Sequence, residues 1–196
     1  MTLLTLGLLL GLVTVAAPGP ISVAIVQVGS KGGPTAGVKA GMGVVGADVL
    51  TGLAAIALVT TGAAIGASTF EVLDRLAAAV LACMGAALVL RPAELGRLAG
   101  ELKRPARAMF ALTSFNPATL VSWIALIVAA PVSPDSALTD RLALACGVVL
   151  VSLAWHASLG ALAGRLGQRL SPQAHIRMGR ASGAVLVFVA LGLSIW

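Results

Sequence analysis

Tyrosine is absent from this chain, and its 196 residues include only two histidines, two cysteines and seven acids. Each scarcity removes a class of chemistry. A Ser-His-Asp hydrolase site needs a histidine between a nucleophile and an acid, and a structural zinc site needs four Cys or His ligands. His156, His175, Cys83 and Cys146 stand too far apart in sequence to make a recognisable metal or redox spacing. Charged residues reach only 10%, against about 25% in an ordinary soluble domain. The sequence therefore predicts no enzyme, no cofactor and no metal centre.

Apolar residues, at 59%, fill the space that charge leaves, and they gather in runs. Uncharged stretches extend over 1–30, 49–70, 76–90, 108–134, 142–164 and 181–196. A membrane-spanning helix needs about 20 mostly apolar residues. The shorter third run extends back through Val72 and Leu73, and the sixth closes on Trp196, a residue suited to the headgroup level. The expected fold is all-α, with six transmembrane helices in a single domain over 1–196 and no room for a soluble domain. Met1 to Ala17 lacks the basic start of a secretory signal, and its apolar run continues through Val28, so it is read as a retained span.

The net charge of +6 follows the spans. Lys31 and Lys39 separate the first two spans. Arg91, Arg97, Lys103, Arg104 and Arg107 separate the third and fourth, and Arg165, Arg169, Arg177 and Arg180 the fifth and sixth. The alternate connections hold only Arg75 and Arg141, beside Glu71, Asp74, Asp135 and Asp140. Basic residues on alternate loops predict cytoplasmic loops at 29–39, 91–107 and 165–180, with both termini outside. Each basic cluster flanks an apolar span, which argues against a nucleic-acid partner.

Glycine recurs at four-residue spacing inside the spans: Gly7 with Gly11, Gly37 with Gly41, Gly62 with Gly66, Gly160 with Gly164. Such pairs let helix backbones approach where lipid supplies no hydrophobic drive, and glycine-rich faces also permit a homodimer. The chain divides into halves of about 1–95 and 105–196. Each opens with a proline-broken span, at Pro18-Gly19-Pro20 and at Asn116-Pro117. Each then places a polar residue in its second span, Asp48 in one half and His156 in the other. Three spans per half is odd, so matching helices cross the bilayer in opposite directions. Paired Gly/Pro breaks in inverted halves point to a transporter's binding site.

Proline removes a helical donor and clashes with the carbonyl four residues back. Pro18, Pro20 and Pro117 are thus expected to free the carbonyls of Thr14, Ala16 and Thr113. Beyond each break a half-helix presents unpaired N–H groups and the positive end of its dipole, a setting for a carboxylate. Asn116 can cap its half-helix. Asp48 is the one acid inside a span. A carboxylate at mid-membrane costs about 2.5–3.5 kcal/mol even on a lenient scale, and such residues mark substrate, ion or proton paths. His156 can titrate near neutrality and relay protons, or serve as a satisfied residue of the bundle core.

These residues resemble the LysE/RhtB superfamily of amino-acid exporters along the whole chain. The resemblance rests on Pro18-Gly19-Pro20, the glycine-rich stretch from Gly41 to Asp48, Asn116-Pro117, the chain length and the closing apolar span. It departs at Ala17, where the family commonly has serine before the first proline. It implies a multi-pass protein of the bacterial inner membrane, a partner of the lipid bilayer and of a small solute, that exports amino acids or related solutes on the proton gradient. Pro18, Gly19, Pro20, Asp48, Asn116 and Pro117 are the expected substrate-binding residues, and Asp48 and His156 the proton-coupling ones. No second intramembrane acid is present for a basic side chain, which favours neutral amino acids. Two rival readings share the architecture. A thiol–disulfide electron carrier needs a cysteine in the first span of each half, and neither has one. A soft-metal exporter wants thiolates, and Cys83 and Cys146 are isolated on different spans.

Overall fold

Proline sets most of the helix starts. In the computed structural model, α2 (Pro20–Gly32), α3 (Pro34–Thr60), α4 (Pro105–Ser114), α5 (Pro117–Ala129) and α7 (Pro172–Ile195) all begin on it; α1 (Leu3–Val15) and α6 (Leu138–Gly167) do not. At the first helical position its missing N–H has no partner to lose, and its fixed φ suits the helix. The described residues are 2–15, 20–61, 75, 79, 82–83, 85–94, 101–130, 138–167, 169 and 171–195, and among them only helices, turns and irregular links occur.

Two of these helices, α3 and α6, are long and apolar enough to cross a membrane. The α4–α5 pair becomes a third candidate if taken as one span bent by 59° at its break. α1 is a shorter apolar helix that ends just before residues 16–19, which lie outside the described set. Pro18 and Gly19 fall there, and positions 76–78, 80, 81 and 84 of the expected third span also lie outside the described residues.

α3 and α6 form the axis of the assembly and run antiparallel. Along their seam Gly37 meets Gly160, Gly41 meets His156, Asp48 meets Ser152 and Thr60 meets Arg141. Numbers rise on one helix as they fall on the other. Close approach at the Gly37 end requires glycine on both sides, because a methyl on either residue would collide with the other's backbone. Gly7 and Gly11 bring α1 onto α6 at Leu144, Gly147 and Val148. Gly29 brings α2 onto the same helix further along, at Gly160 and Gly164. α1 and α2 thus follow α6 one after the other in its own direction. α4 and α5 do the same along α3, with Gly43 on Ala106, Gly46 on Phe110 and Gly52 on Trp123. Gly85 and Gly183 join the helical stretch 85–90 to α7.

The glycine spacing was informative. Gly7/Gly11, Gly37/Gly41 and Gly160/Gly164 are contact points between helices, and Gly62/Gly66 lie outside the described residues. The expected loop 29–39 needs correction. α2 runs to Gly32 and α3 begins at Pro34, so the connection is Gly33 alone, held at φ 86°. Glycine adopts that left-handed conformation without a Cβ penalty. Lys31 therefore closes α2, and Lys39 stands inside α3. The loop 165–180 shrinks in the same way, since α6 extends to Gly167 and α7 starts at Pro172.

Candidate functional site

Two apolar clusters divide the bundle. One joins Ile25 and Val28 of α2, Ala40 and Val44 of α3, and Met109 of α4. The other joins Ala55 and Ile56 of α3, Trp123, Ile124 and Ile127 of α5, and Ala145 and Val148 of α6. Between them, α3 and α6 carry polar residues among the apolar ones. Asp48, Thr51, Ser152 and His156 are all buried there.

Asp48 lies one turn beyond Val44 on α3, and Ser152 one turn beyond Val148 on α6. The Ser152 hydroxyl donates to Asp48 Oδ2 at 2.5 Å. On α6, Ser152 and His156 are one turn apart and share a face, and the serine oxygen stands 3.0 Å from His156 Nδ1. A hydroxyl carries a single proton. With that proton committed to Asp48, the serine oxygen accepts from His156, and Nδ1 carries the hydrogen. Carboxylate, hydroxyl and imidazole form one hydrogen-bonded chain across the seam. Thr51 closes its hydroxyl on its own helix, at the Ala47 carbonyl, 2.8 Å away. No ion pair involves Asp48 among the described residues.

Of the residues singled out in the sequence, Asp48 and His156 thus come together through a third. Ser152 was missed, although its place four residues before His156 is the signal that finds it. Pro20 opens α2, with Pro18 and Gly19 outside the described residues, and Pro117 opens α5 after the break that follows α4. The carbonyl of Thr113 is not free, however. The N–H of Asn116 donates to it at 3.1 Å, a tightened last turn that replaces the bond Pro117 cannot make. Asn116 also accepts from the Thr119 N–H at 3.1 Å through its carbonyl. Phe115, at the break, is exposed.

Arg141, expected in a connection between spans, stands inside a helix instead. It lies in the first turns of α6 and is buried, with Nη1 donating to Thr60 Oγ1 at 2.6 Å. Thr60 in turn donates to the Ile56 carbonyl at 2.7 Å. The apolar run was counted from Leu142, but α6 begins at Leu138, so the arginine enters the bundle with its helix. Cys83 and Cys146 are both exposed and unpaired with one another, and no group of His, Cys, Asp and Glu able to hold a metal occurs among the described residues.

Long apolar helices point to a membrane protein, and a buried carboxylate lies where two of them meet. The chain belongs to the LysE type translocator family, whose model matches residues 12–195. Membership places it among transporters of amino acids or related solutes and not among enzymes. No curated protein and no solved structure matches it significantly.

Proposed function

We propose that this protein exports amino acids, neutral ones by preference, across the bacterial inner membrane, and that proton entry drives the export. In this reading the chain crosses the bilayer six times as two inverted three-helix repeats, with both termini outside. Three observations support the repeat. Each half supplies two successive short helices and then a long one. The short pair of each half follows the long helix of the other half in parallel. Asp48 and Ser152 are separated by 104 residues, the same offset that separates the first residues of α3 and α6.

The observation that carries the functional reading is the buried chain Asp48–Ser152–His156 between two apolar clusters. An acid kept inside a bundle of this kind marks a path for solute or protons. The hydrogen-bonded chain has two proton arrangements. With Asp48 ionised, protons point from His156 through Ser152 to the carboxylate. With Asp48 protonated, the serine turns its hydrogen towards the imidazole. With the imidazole doubly protonated in the first arrangement and neutral in the second, exchange between the two carries one proton from His156 Nδ1 through Ser152 to Asp48 without moving a heavy atom far. The two apolar clusters close the site on either side, and opening one at a time gives alternating access. Pro18, Gly19, Pro20, Asn116 and Pro117, at the two breaks, supply backbone groups to the solute, and Asp48 takes its ammonium group.

The test is a comparison of the medium from cells with and without overexpression of the chain. One or more neutral amino acids should accumulate outside only with the wild-type protein and not with Asp48→Asn. Unchanged amino-acid levels under overexpression would contradict the reading.

A further inference from the structure

Hydroxyls on helices within a membrane protein ordinarily close on their own backbone, and here several do so. Thr14 donates to Leu10, Thr51 to Ala47, Thr60 to Ile56, Thr61 to Ala57 and Ser30 to Gln27, each to a carbonyl three or four residues back. Thr113 and Ser114, in the last turn of α4, do not. Their hydroxyl oxygens are buried and have no hydrogen-bond partner among the described residues, and the indole N–H of Trp155 on α6 shares that condition. Thr113 is wholly buried, at 0% exposure. An unsatisfied buried donor is costly, roughly 1–3 kcal/mol, and calls for a partner.

One of these donors, Thr113, lies on the carboxylate's level, and Trp155 stands about a turn nearer the Gly37 end, next to His156, which meets Gly41. Val44, Met109 and Leu159 all pack in or against the cluster around Ile25. One turn further towards the Thr60 end of the bundle, α3 carries Asp48, α4 carries Thr113 and α6 is one turn back at Trp155. The direction is the same in all three, because α4 runs parallel to α3 and α6 antiparallel. Residues one turn apart share a helix face. Asp48 and Thr113 therefore stand one turn above the apolar cluster, with the Trp155 indole on the Gly37 side of them.

We infer that Thr113 and Trp155, with Ser114 beside them, form the donor half of the solute site and bind the solute's carboxylate, while Asp48 faces its ammonium group. The inference rests on the export reading and adds the residues that select for an α-carboxylate. Neutral donors suit this role. They bind the anion in a buried place without adding a fixed positive charge that would pair with Asp48.

The experiment uses the full chain in proteoliposomes loaded with the twenty protein amino acids under an imposed proton gradient, with efflux read by mass spectrometry. Thr113→Val is nearly isosteric and removes only the hydroxyl. It should raise the half-saturating concentration of the exported amino acids about tenfold or more, the scale of one hydrogen bond to a charged group. Thr113→Ser should restore it, and Trp155→Phe should act as Thr113→Val does. Thermal unfolding gives a second readout that needs no transport. Removing a hydroxyl that serves only the solute should raise Tm of the solute-free protein, by about 2–4 °C for a chain of this size. A fall in Tm would assign the hydroxyl to the fold and overturn the inference. An unchanged half-saturating concentration in Thr113→Val would overturn it while leaving the export reading intact. Wild-type vesicles that export no amino acid above protein-free vesicles would contradict the export reading itself, and this inference with it.

Discussion

Asp48 and Ser152 are each the fifteenth residue of a long helix, and the two helices run in opposite directions so that these positions meet. A residue that meets its counterpart lies at the centre of the crossing, and there the two halves differ in chemistry. One supplies a carboxylate and the other a hydroxyl that donates to it. The pair holds a titratable group where both long helices and the apolar clusters on either side bear on it.

The serine is the first point of test. Ser152→Ala leaves the carboxylate without its donor and disconnects His156. A hydrogen bond to a charged group contributes about 1.5–3 kcal/mol, so the initial rate of export should fall between about tenfold and a hundredfold. Initial rates in everted vesicles, across a pH series, check this. A rate and a pH profile equal to wild type would remove Ser152 from the working site.

The Arg141–Thr60 contact yields a stability prediction. Thr60→Val leaves a buried guanidinium without its hydroxyl partner, and breaking a buried charged contact on one side costs several kcal/mol. Replacing both residues, as Thr60→Val with Arg141→Met, removes the orphaned charge. The double variant should be more stable than Thr60→Val alone, and the coupling energy should be about 0.5–3 kcal/mol. Thermal unfolding of the four proteins in detergent closes the cycle. Additive effects would show that the contact contributes little.

Much of this architecture was legible in the sequence because membranes impose simple rules. Apolar runs and glycine at four-residue spacing each report a local constraint that tertiary context rarely overrides. Asp48 was legible for the same reason, as an acid out of place. Ser152 and Thr113 were not. A serine or threonine in a membrane helix is unremarkable until the structure shows whether its hydroxyl closes on its own helix. Arg141 misled because charge was read as the edge of a span, whereas helices do not end where hydropathy does.

Close packing at Gly37 and Gly160 is the third prediction. Gly160→Val puts a branched side chain against the Gly37 backbone, where even a methyl collides. Overpacking of this kind costs about 1–3 kcal/mol or more. The variant should be poorly expressed and elute as aggregate in fluorescence-detected size exclusion. A monodisperse peak at the wild-type Tm would mean that α3 and α6 do not meet there.

Orientation follows from the distribution of Lys and Arg. In a background without Cys83 and Cys146, cysteine at Thr139 should react with an impermeant maleimide on intact cells. Cysteine at Thr35 or Gln173, both exposed on the opposite side, should react only after permeabilisation. Labelling of position 35 or 173 in intact cells would reverse the proposed topology.

The central claim is that Asp48 couples proton movement to export, and one substitution addresses it. Asp48→Asn preserves size and the acceptor for Ser152 while abolishing titration. In everted vesicles energised by respiration, wild type should accumulate amino acid in a manner that collapses with an uncoupler. The Asn variant, present in equal amount and folded by its elution profile, should show no gradient-driven accumulation. Accumulation by Asp48→Asn to the wild-type level, with the wild-type pH dependence, would contradict the account.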